Sequence, residues 1–474
     1  MHCIYVFSAI KRNKKQSKLN PIVRLIPLVI LFIFWTSILE AQSEYLNDTT
    51  LLENKIDSLF LDFNDSVKPG VAIALLFNGN VVFEKGYGYA DLKNKTLVNS
   101  STIFNIASVS KQFTAFSILL LQDQGRLSLD DDIRMYIPEI PDFGTTITLR
   151  HLATHTSGLR AHHVLLGFKG RENLYDEITI EAILEIIMSQ KELNFDPGSE
   201  YLYSNTGFIL LAEIVARVSG MSFEDFVQTN IFNPLQMNGS SFYNEESDGI
   251  AYSYSNNNHA YKRLDNRDYS VGASNILTTV QDLAKWNVNF SSLEVGNANT
   301  LKQMNAPFIL TNTEKTEVAY GQFVDKYKSL NRIWHSGKIR EYHSYLGRFP
   351  DHDFSVIVCS NGPQFSASEL AMRLADIYLS DHIIENDFKK TPPIKGCDNP
   401  STKQLEKFSG MYWDEVDWYA RRVYVRDDTL RTSTGINQEN TLLPIGKEEF
   451  QILNSEIIFT FKTDHVTKKV SVKK

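Results

Sequence analysis

The sequence predicts an α/β fold of the α+β type. In it, one antiparallel sheet is flanked by helices and a helix-rich lobe, and a small β-rich C-terminal domain follows. Three observations predict this class. β-rich runs lie on both sides of Asn78-Gly79, a strong hairpin signal. Strand-like runs return only at 332–361, after a long helical and loop-rich middle. Short alternating runs then fill the last part of the chain. We therefore expect the main sheet to combine strands from both ends of its domain.

The N-terminus has the features of an export signal. The positively charged stretch KRNKKQSK and Arg24 precede an apolar run from Leu25 to Leu39, and the small residue Ala41 follows. This run is shorter than the ~20 residues that a membrane-spanning helix needs. We therefore predict that residues 1–41 are a signal peptide and that the protein is exported, to the periplasm or the cell exterior. The alternative is an uncleaved anchor, in which case this segment alone would contact the membrane.

The remaining segments predict the domain division. A helix-like run precedes the hairpin, and the run SASELAMRLADIYLS after the late strands predicts the closing helix of a unit over 42–381. The polar stretch that follows contains two adjacent prolines and is typical of a linker, which we place at 382–398. Alternating runs such as RRVYVRDDTLRTST predict a small β-rich domain over 399–474.

Composition excludes some classes of function. The chain has 474 residues, of which 43% are hydrophobic and 22% charged, and its net charge is −8. It has no basic stripe with interleaved aromatic residues, so we predict no nucleic-acid partner. Cys359 lies in an apolar, strand-like run and Cys397 lies in the linker. Two isolated thiols are favoured, a disulfide between them stays open, and no Cys/His spacing indicates zinc.

Ser108 and Lys111 form the first candidate element of a catalytic site. The spacing Ser-x-x-Lys occurs three times, but the copies at Ser8 and Ser471 lie in a charged stretch and in the last four residues. Ser108 stands where a helical pattern begins that ends at Gly125. There the positive end of the helix dipole would favour an oxyanion on an acylated serine and would lower the pKa of the lysine towards use as a base. The alternative is a structural N-cap.

Tyr203 and Asn205 form the second candidate element, after a Pro-Gly turn and before an amphipathic helical run. A tyrosine hydroxyl can relay a proton to a leaving group, and an asparagine side chain can hold a substrate amide. The alternative is a turn tyrosine with a local hydrogen bond. The same pattern recurs as Tyr254-Ser255-Asn256 in an Asn-rich stretch that we interpret as an exposed loop.

The third candidate element is His335-Ser336-Gly337, on a predicted strand. A glycine at a strand edge lets a substrate backbone approach closely. The next amide, on Lys338, could be a second oxyanion donor beside the amide of Ser108. The alternative is an edge strand whose histidine faces solvent.

Taken in this order, the Ser-x-x-Lys, Tyr-x-Asn and His-x-Gly motifs resemble those of the serine β-lactamases and penicillin-binding proteins. The similarity is greatest to the class C β-lactamase-like group, which includes DD-peptidases, D-aminopeptidases and esterases. The stretches LRHLATHTSGL, FDPGSEYLYSNTGF, IFNPLQMNGSSF and GASNILTTVQDLAKW, the last of which includes Gly272, are also similar, and the resemblance covers 52–380. It implies a β-lactamase-like fold. The C-terminal part resembles the small β-barrel-like appendages of many such proteins.

The resemblance implies one acyl-transfer site and no metal or organic cofactor. It gives each candidate residue a role: Ser108 as nucleophile, Lys111 as its base, Tyr203 as proton shuttle, Asn205, His335, Ser336 and Gly337 as substrate-binding residues, and the backbone amides of Ser108 and Lys338 as the oxyanion hole. The partner would be a small-molecule or peptide substrate, for example one derived from peptidoglycan: a D-amino-acid peptide, a small ester or a β-lactam.

Two departures from the family pattern affect the expected substrate. The third motif often continues as His-x-Gly-Gly-x-x-Gly, whereas Lys338 and Glu341 occupy the later glycine positions here, which would make the pocket rim bulkier and charged. His335 would stand in for the lysine of many β-lactamases. Being only partly protonated near neutral pH, it would hold a substrate carboxylate less firmly. We therefore expect a serine hydrolase, with a peptidase or esterase favoured over an efficient β-lactamase. The alternative is a catalytically weak module that binds penicillin or cell-wall peptides.

Four histidines indicate a weaker alternative, a metallohydrolase. His151 and His155 are four residues apart, but the glutamate of a zinc-protease motif is missing between them. His162 and His163 follow in a predicted loop. We interpret these histidines as structural or rim residues, because a metal site needs a further ligand.

Overall fold

The structure is a computed structural model that describes residues 51–63, 67–168, 179–244, 249–257, 260–264, 270–363, 366–380, 383, 400–414, 419–426, 428–433, 439–453, 458–463 and 468–473. The predicted signal peptide, 1–41, lies outside these residues, as does the predicted linker apart from residue 383.

The strands described before residue 361 are β1 (Val71–Phe77), β2 (Asn80–Tyr87), β3 (Tyr89–Asp91), β4 (Thr96–Leu97), β5 (Phe104–Asn105), β6 (Ser241–Phe242), β7 (Tyr254–Asn257), β8 (Ala260–Arg263), β9 (Ile276–Thr278), β10 (Val318–Ala319), β11 (Gln322–Tyr327), β12 (Leu330–Ile339), β13 (Tyr342–Phe349) and β14 (Phe354–Ser360).

Helices fill most of the chain between the early and the late strands. The α-helices of this part are α1 (51–57), α2 (Lys111–Asp123), α3 (Leu149–Ala153), α4 (His162–Phe168), α5 (Ile180–Met188), α6 (Asn205–Ser219), α7 (Phe223–Val227), α8 (Val280–Ser292), α9 (Ala298–Met304) and α10 (Ala367–Tyr378). Shorter turns of 3₁₀ helix occur at Ser58–Phe63, Ala107–Ser110, Ile133–Met135 and Pro350–His352, and Gln228–Phe232 is a π-helical turn.

The main sheet joins the two ends of the domain. It has seven strands in the order β10-β11-β12-β13-β14-β1-β2. β1 pairs antiparallel with β2 on one side and with β14 on the other. Six of the seven residues of β1 and all seven of β14 are buried, as central strands covered on both faces require. The sheet with its flanking helices confirms the predicted fold class.

Helix α2 lies at the centre of the helix-rich lobe. All of its residues from Lys111 to Leu121 are buried. Its aromatic rings Phe113 and Phe116 pack on Trp286 of α8, with ring centres 4.5 and 5.1 Å away. The packing of α2 in this core fixes the position of its first residue, Lys111, and of the turn that precedes it.

Strand β12 borders the candidate site and is only partly covered along one edge. β13 pairs with β12 from Ile333 to Ile339, whereas β11 pairs with it only from Leu330 to Trp334. The segment His335–Ile339 therefore has a single strand neighbour among the described residues. An unpaired strand edge is the kind of backbone that can pair with another extended chain.

The C-terminal part forms a second seven-stranded antiparallel sheet with its own apolar cluster, in which the rings of Phe450 and Phe461 meet edge to face. Its elements are α11 (Thr402–Leu405), a 3₁₀ turn (Glu406–Phe408), β15 (Gly410–Asp414), β16 (Tyr419–Arg426), β17 (Thr429–Ser433), β18 (Glu439–Pro444), β19 (Glu449–Ile452), β20 (Ile458–Thr463) and β21 (Lys468–Lys473). This β-rich region was expected, and the domain limits at 381 and 399 stay predictions.

Some local predictions fail. Tyr254 is 4% exposed and belongs to β7 rather than to an exposed loop, since its hydroxyl accepts a hydrogen bond from the N–H of Leu92 at 2.9 Å. His162 begins α4 instead of lying in a loop. Cys359 is a free, buried thiol in β14, and Cys397 lies outside the described residues.

Among the residues that the structure describes, no single helix is both long and apolar enough to cross a membrane. One pair, Asn205–Ser219 with Phe223–Phe232, meets the criterion jointly by length and composition, with a 76° bend between its helices.

Candidate active site

Ser108 lies in the short 3₁₀ turn Ala107–Ser110, immediately before α2. Ala107 has a left-handed backbone with a φ of 47°, and its N–H donates to the side-chain oxygen of Asn105 at 2.8 Å. This conformation is costly for a residue with a Cβ, so the surrounding structure must hold the turn in place. The turn leaves Ser108 partly exposed between buried neighbours. The N-cap of α2 is Ser110, so the N-cap alternative for Ser108 is wrong.

Lys111 is fully buried beside Ser108. Its Nζ lies 3.0 Å from Ser108 Oγ and donates a hydrogen bond to the carbonyl oxygen of Ala273 at 2.7 Å. The same nitrogen lies over the rings of Tyr203 and Phe208, 5.0 and 5.6 Å from their centres. These contacts direct the amine at the hydroxyl group, as a base for that hydroxyl requires.

Tyr203 and Asn205 lie at the start of α6, whose first residue is Asn205. Tyr203 forms a side-chain hydrogen bond with Ser108. Burial raises the pKa of Tyr203 above its ordinary value, and this hydrogen bond opposes the rise, so the phenol is protonated at neutral pH. Asn205 Oδ1 and Ser204 Oγ are buried and have no hydrogen-bond partner in the part of the chain that the structure describes. A bound substrate could satisfy such groups, which are costly to leave unpaired.

His335 is 3% exposed on β12, with its ring centre 6.3 Å from that of Tyr203 and 5.2 Å from that of Phe323. Burial and, secondly, the charge of Lys111 lower the pKa of His335 to about 3. The ring is therefore neutral near neutral pH. This contradicts both the expected partial protonation and the solvent-facing alternative. Its Nδ1 lies 2.5 Å from the carbonyl oxygen of Ser336, to which it can donate. Its Nε2 has no partner among the described residues and can accept a hydrogen bond from a substrate.

Gly337 brings β12 against the turn that carries Ser108. It lies so close to Ile106 and Ala107 that a side chain would not fit. The segments that carry the amides of Ser108 and Lys338 meet at this point, while the side chain of Lys338 is exposed and Ser336 is partly buried. The sequence-predicted residues thus gather around Ser108, and their individual roles stay predictions.

His155 was not assigned to the site from the sequence. It is 3% exposed, and its ring stacks on that of Tyr203 with 4.3 Å between their centres. Spacing to Ser108 or Tyr203 gives no sign of this contact, because the two segments are far apart in the chain. The only signal is its place in the family-like stretch LRHLATHTSGL.

The chemistry available at the site is acyl transfer. The Ser108 hydroxyl, a buried amine and a protonated phenol lie together, and two buried acceptors, on Asn205 and His335, have no partner among the described residues. Within the described ranges, no group of three or more His, Cys, Asp and Glu side chains could hold a metal ion.

The sequence is similar to one family model and to proteins of two bacteria. The family model described as Beta-lactamase matches residues 56–379. The chain is 27% identical over 409 residues to Penicillin-binding protein 4* of Bacillus subtilis (strain 168), covering 81% of this chain and 89% of that protein. It is also 27% identical over 305 residues to Protein flp of Staphylococcus aureus (strain MW2), covering 62% of this chain but only 59% of that protein.

Solved structures give similar matches. The octameric penicillin-binding protein homologue from Pyrococcus abyssi superposes with a TM-score of 0.65 at 25% identity, covering 88% of this chain and 95% of that one. FmtA from Staphylococcus aureus superposes with a TM-score of 0.55 at 22% identity, over 69% of this chain and 87% of that one. The second match shows the fold alone.

Proposed function

The chain belongs to the Beta-lactamase family, and from this premise we propose that it is a serine hydrolase that acts through an acyl-enzyme on Ser108. The observation that carries the proposal is the 3.0 Å distance between Ser108 Oγ and the Nζ of fully buried Lys111. A hydroxyl is a weak nucleophile until a neighbouring base takes its proton, and this distance supports Lys111 as that base.

The proposed reaction has two halves. Lys111, acting in its deprotonated form, takes the Ser108 proton as Oγ attacks an amide or ester carbonyl, and the amides of Ser108 and Lys338 hold the resulting oxyanion. The C–N or C–O bond then breaks, and the leaving group receives a proton through the Tyr203 hydroxyl. In the second half, water attacks the serine ester, releases the acid and restores the Ser108 hydroxyl. Asn205 would bind the substrate amide through its Oδ1, which has no partner in the described part of the chain.

The proposed substrates are D-amino-acid peptides, small esters or β-lactams, with a peptidase or esterase favoured over an efficient β-lactamase. Neutral His335 supports this preference, because it offers no positive charge to the free carboxylate of a penicillin. The names of Penicillin-binding protein 4* and of the Pyrococcus abyssi homologue support acylation by penicillin as a reaction to test.

The proposal extends to location and partners. The protein is exported after cleavage behind Ala41 and meets a small-molecule or peptide substrate, such as a peptidoglycan fragment, outside the cytoplasm. Mass spectrometry of the mature N-terminus tests this: a chain that begins at Gln42 supports it, and one that retains 1–41 supports the anchor.

A second candidate function is a binding module with little turnover. Lys338 and Glu341 in place of family glycines favour it, because a bulkier rim could retain an acyl group or admit water poorly.

The test is an intact-mass time course of the purified protein with benzylpenicillin, beside Ser108→Ala and the exposed-serine control Ser101→Ala. A lasting adduct on the wild type and the control, absent from Ser108→Ala, supports a peptidase-like acyl-enzyme. Rapid Ser108-dependent consumption of penicillin would indicate a β-lactamase. If no penicillin adduct forms, a p-nitrophenyl ester tests the esterase branch. Equal ester cleavage by Ser108→Ala would overturn the nucleophile assignment.

A further inference from the structure

His155 contacts the segment around Tyr203 in three ways. Its ring stacks on the Tyr203 ring, with 4.3 Å between centres and 30° between planes. Its Nδ1 accepts a hydrogen bond from the N–H of Ser204 at 3.1 Å, and its carbonyl oxygen accepts one from the N–H of Leu202 at 2.9 Å. A single residue thus holds the backbone on both sides of the tyrosine and one face of its ring.

His155 is itself held firmly. It is 3% exposed, it has a left-handed φ of 57°, and its ring centre lies 5.0 Å from that of Phe208. Burial first, and then the nearby charge of Lys111, hold the pKa of His155 well below its ordinary value. The ring is therefore neutral, and its Nδ1 lone pair remains available to the Ser204 N–H.

We propose that His155 is a positioning residue for acyl transfer: the ring stack and the Ser204 contact hold the Tyr203 hydroxyl at Ser108, so that the phenol can deliver a proton to the leaving group. The inference rests on the proposed function and adds a residue that does not itself touch substrate. The proton that reaches the departing nitrogen or oxygen is the one that Ser108 gave up, relayed through the Tyr203 hydroxyl as the C–N or C–O bond breaks.

This role makes the effect of His155 depend on the leaving group. An amide nitrogen must gain a proton as it leaves, whereas p-nitrophenolate leaves as a stable anion. A displaced Tyr203 should therefore slow acylation by a penicillin, whose amide bond breaks, more than acylation by p-nitrophenyl acetate. A merely structural role would lower both rates in proportion to the folded fraction.

Two variants separate the contacts of His155. His155→Asn keeps an acceptor near the position of Nδ1, tolerates the left-handed backbone and removes the ring. His155→Phe keeps a ring and removes the acceptor. The matched control is His151→Asn, because His151 lies on the same segment and its ring contacts Phe308 rather than Tyr203.

The experiment compares both acylation rates for the full chain. In His155→Asn, we expect the ratio of the penicillin rate to the ester rate to fall by about tenfold or more, with little change in the KM of the ester. In His155→Phe, loss of the Ser204 contact should displace Asn205 and raise the KM for penicillin. His151→Asn should leave the ratio unchanged. An unchanged ratio in His155→Asn would overturn the inference while leaving the proposed function intact.

A measurement that does not depend on catalysis distinguishes failure of the positioning role from failure of the proposed function. In protein labelled with ¹³C-tyrosine, the Tyr203 ring signal, assigned with Tyr203→Phe, should shift in His155→Asn and stay in place in His151→Asn. A Tyr203 signal that does not move in His155→Asn would contradict the positioning role. A wild type with no Ser108-dependent acylation by either probe would overturn the proposed function, and with it the catalytic part of this inference.

Discussion

A Cβ atom on Gly337 would lie 2.3 Å from the carbonyl oxygen of Ile106, far inside van der Waals contact. Ile106 directly precedes the turn that carries Ser108, and its carbonyl oxygen also accepts a hydrogen bond from Ser344 Oγ of β13 at 2.6 Å. β12 and this turn can approach each other because residue 337 has no side chain. Gly337 therefore determines how close the two predicted oxyanion donors, the amides of Ser108 and Lys338, can come.

Gly337→Ala should separate the two donors. We expect penicillin acylation to fall by at least about tenfold, because one misplaced donor already weakens oxyanion stabilisation. The overpacking should cost about 1–3 kcal/mol of unfolding free energy. Adduct formation by intact mass and urea denaturation measure the two effects. Gly410→Ala is the control, since its nearest atoms, at 3.5 Å or more, belong to the side chain of Tyr412. Wild-type acylation by Gly337→Ala would contradict the oxyanion assignment.

Lys111→Met should slow acylation strongly without unfolding the protein. Methionine fills a similar volume and removes the amine that lies 3.0 Å from Ser108 Oγ. We expect the acylation rate to fall by about 10²-fold or more, the range for loss of a proton-transfer group. Stopped-flow measurement with a chromogenic cephalosporin gives the rate, and circular dichroism checks the fold. Lys326→Met, on an exposed position of β11, should acylate normally. Retained activity in a folded Lys111→Met protein would require another base.

Acid should destabilise the fold through its buried histidines. The pKa of His335 is lowered to about 3, and those of His151 and His162 to about 4, from an ordinary 6.5, in each case first by burial. These side chains stay neutral in the folded protein, while the unfolded chain takes up protons below pH 6.5. The stability that these histidines contribute is therefore fully present above their ordinary pKa of 6.5, and it is lost as the pH falls towards their folded-state values of about 3 and about 4.

The melting temperature between pH 7 and pH 5 isolates this effect, because most carboxylates titrate lower. Calorimetry should show a decline over that window, with a smaller slope in His335→Gln, which removes one titrating group. A melting temperature independent of pH from 7 to 5 would show that the buried histidines do not control acid stability.

Asn361→Asp should destabilise the main domain strongly. Asn361 is fully buried, accepts a hydrogen bond from the N–H of Gly70 at 2.6 Å, and donates from Nδ2 to the carbonyl oxygens of Tyr89, Ala90 and Tyr252. An aspartate has the same shape but no donor, so its charge would face three carbonyl groups.

The expected loss for Asn361→Asp is about 3 kcal/mol or more at pH 7, measured by urea denaturation. Asn80→Asp, on the exposed end of β2, serves as the control and should change the unfolding free energy by less than about 0.5 kcal/mol. Equal stabilities of the two variants would show that this hydrogen-bond hub contributes little.

The sequence predicted the architecture because its strongest signals are local. The turn at Asn78-Gly79 and the apolar run of β14 reveal strands, and their order along the chain implies a sheet made from both ends. Where a local pattern was ambiguous, contacts with distant parts of the chain determined the conformation of the segment. The local sequence predicts a polar loop at Tyr254, yet its hydroxyl accepts a hydrogen bond from the amide of Leu92 in another part of the chain.

By itself, the sequence determined which residue types could perform acyl transfer and in what order they occur, since motif spacing is a property of the chain. Only the tertiary structure decided their environment. His335 is neutral because it is buried beside Lys111, and His155 touches Tyr203 because a loop and a helix start meet in the core. Packing between distant segments buries a side chain and brings charges near it. Burial and nearby charges then set its pKa, and the packing holds a phenol in place. Residue identity alone determines neither.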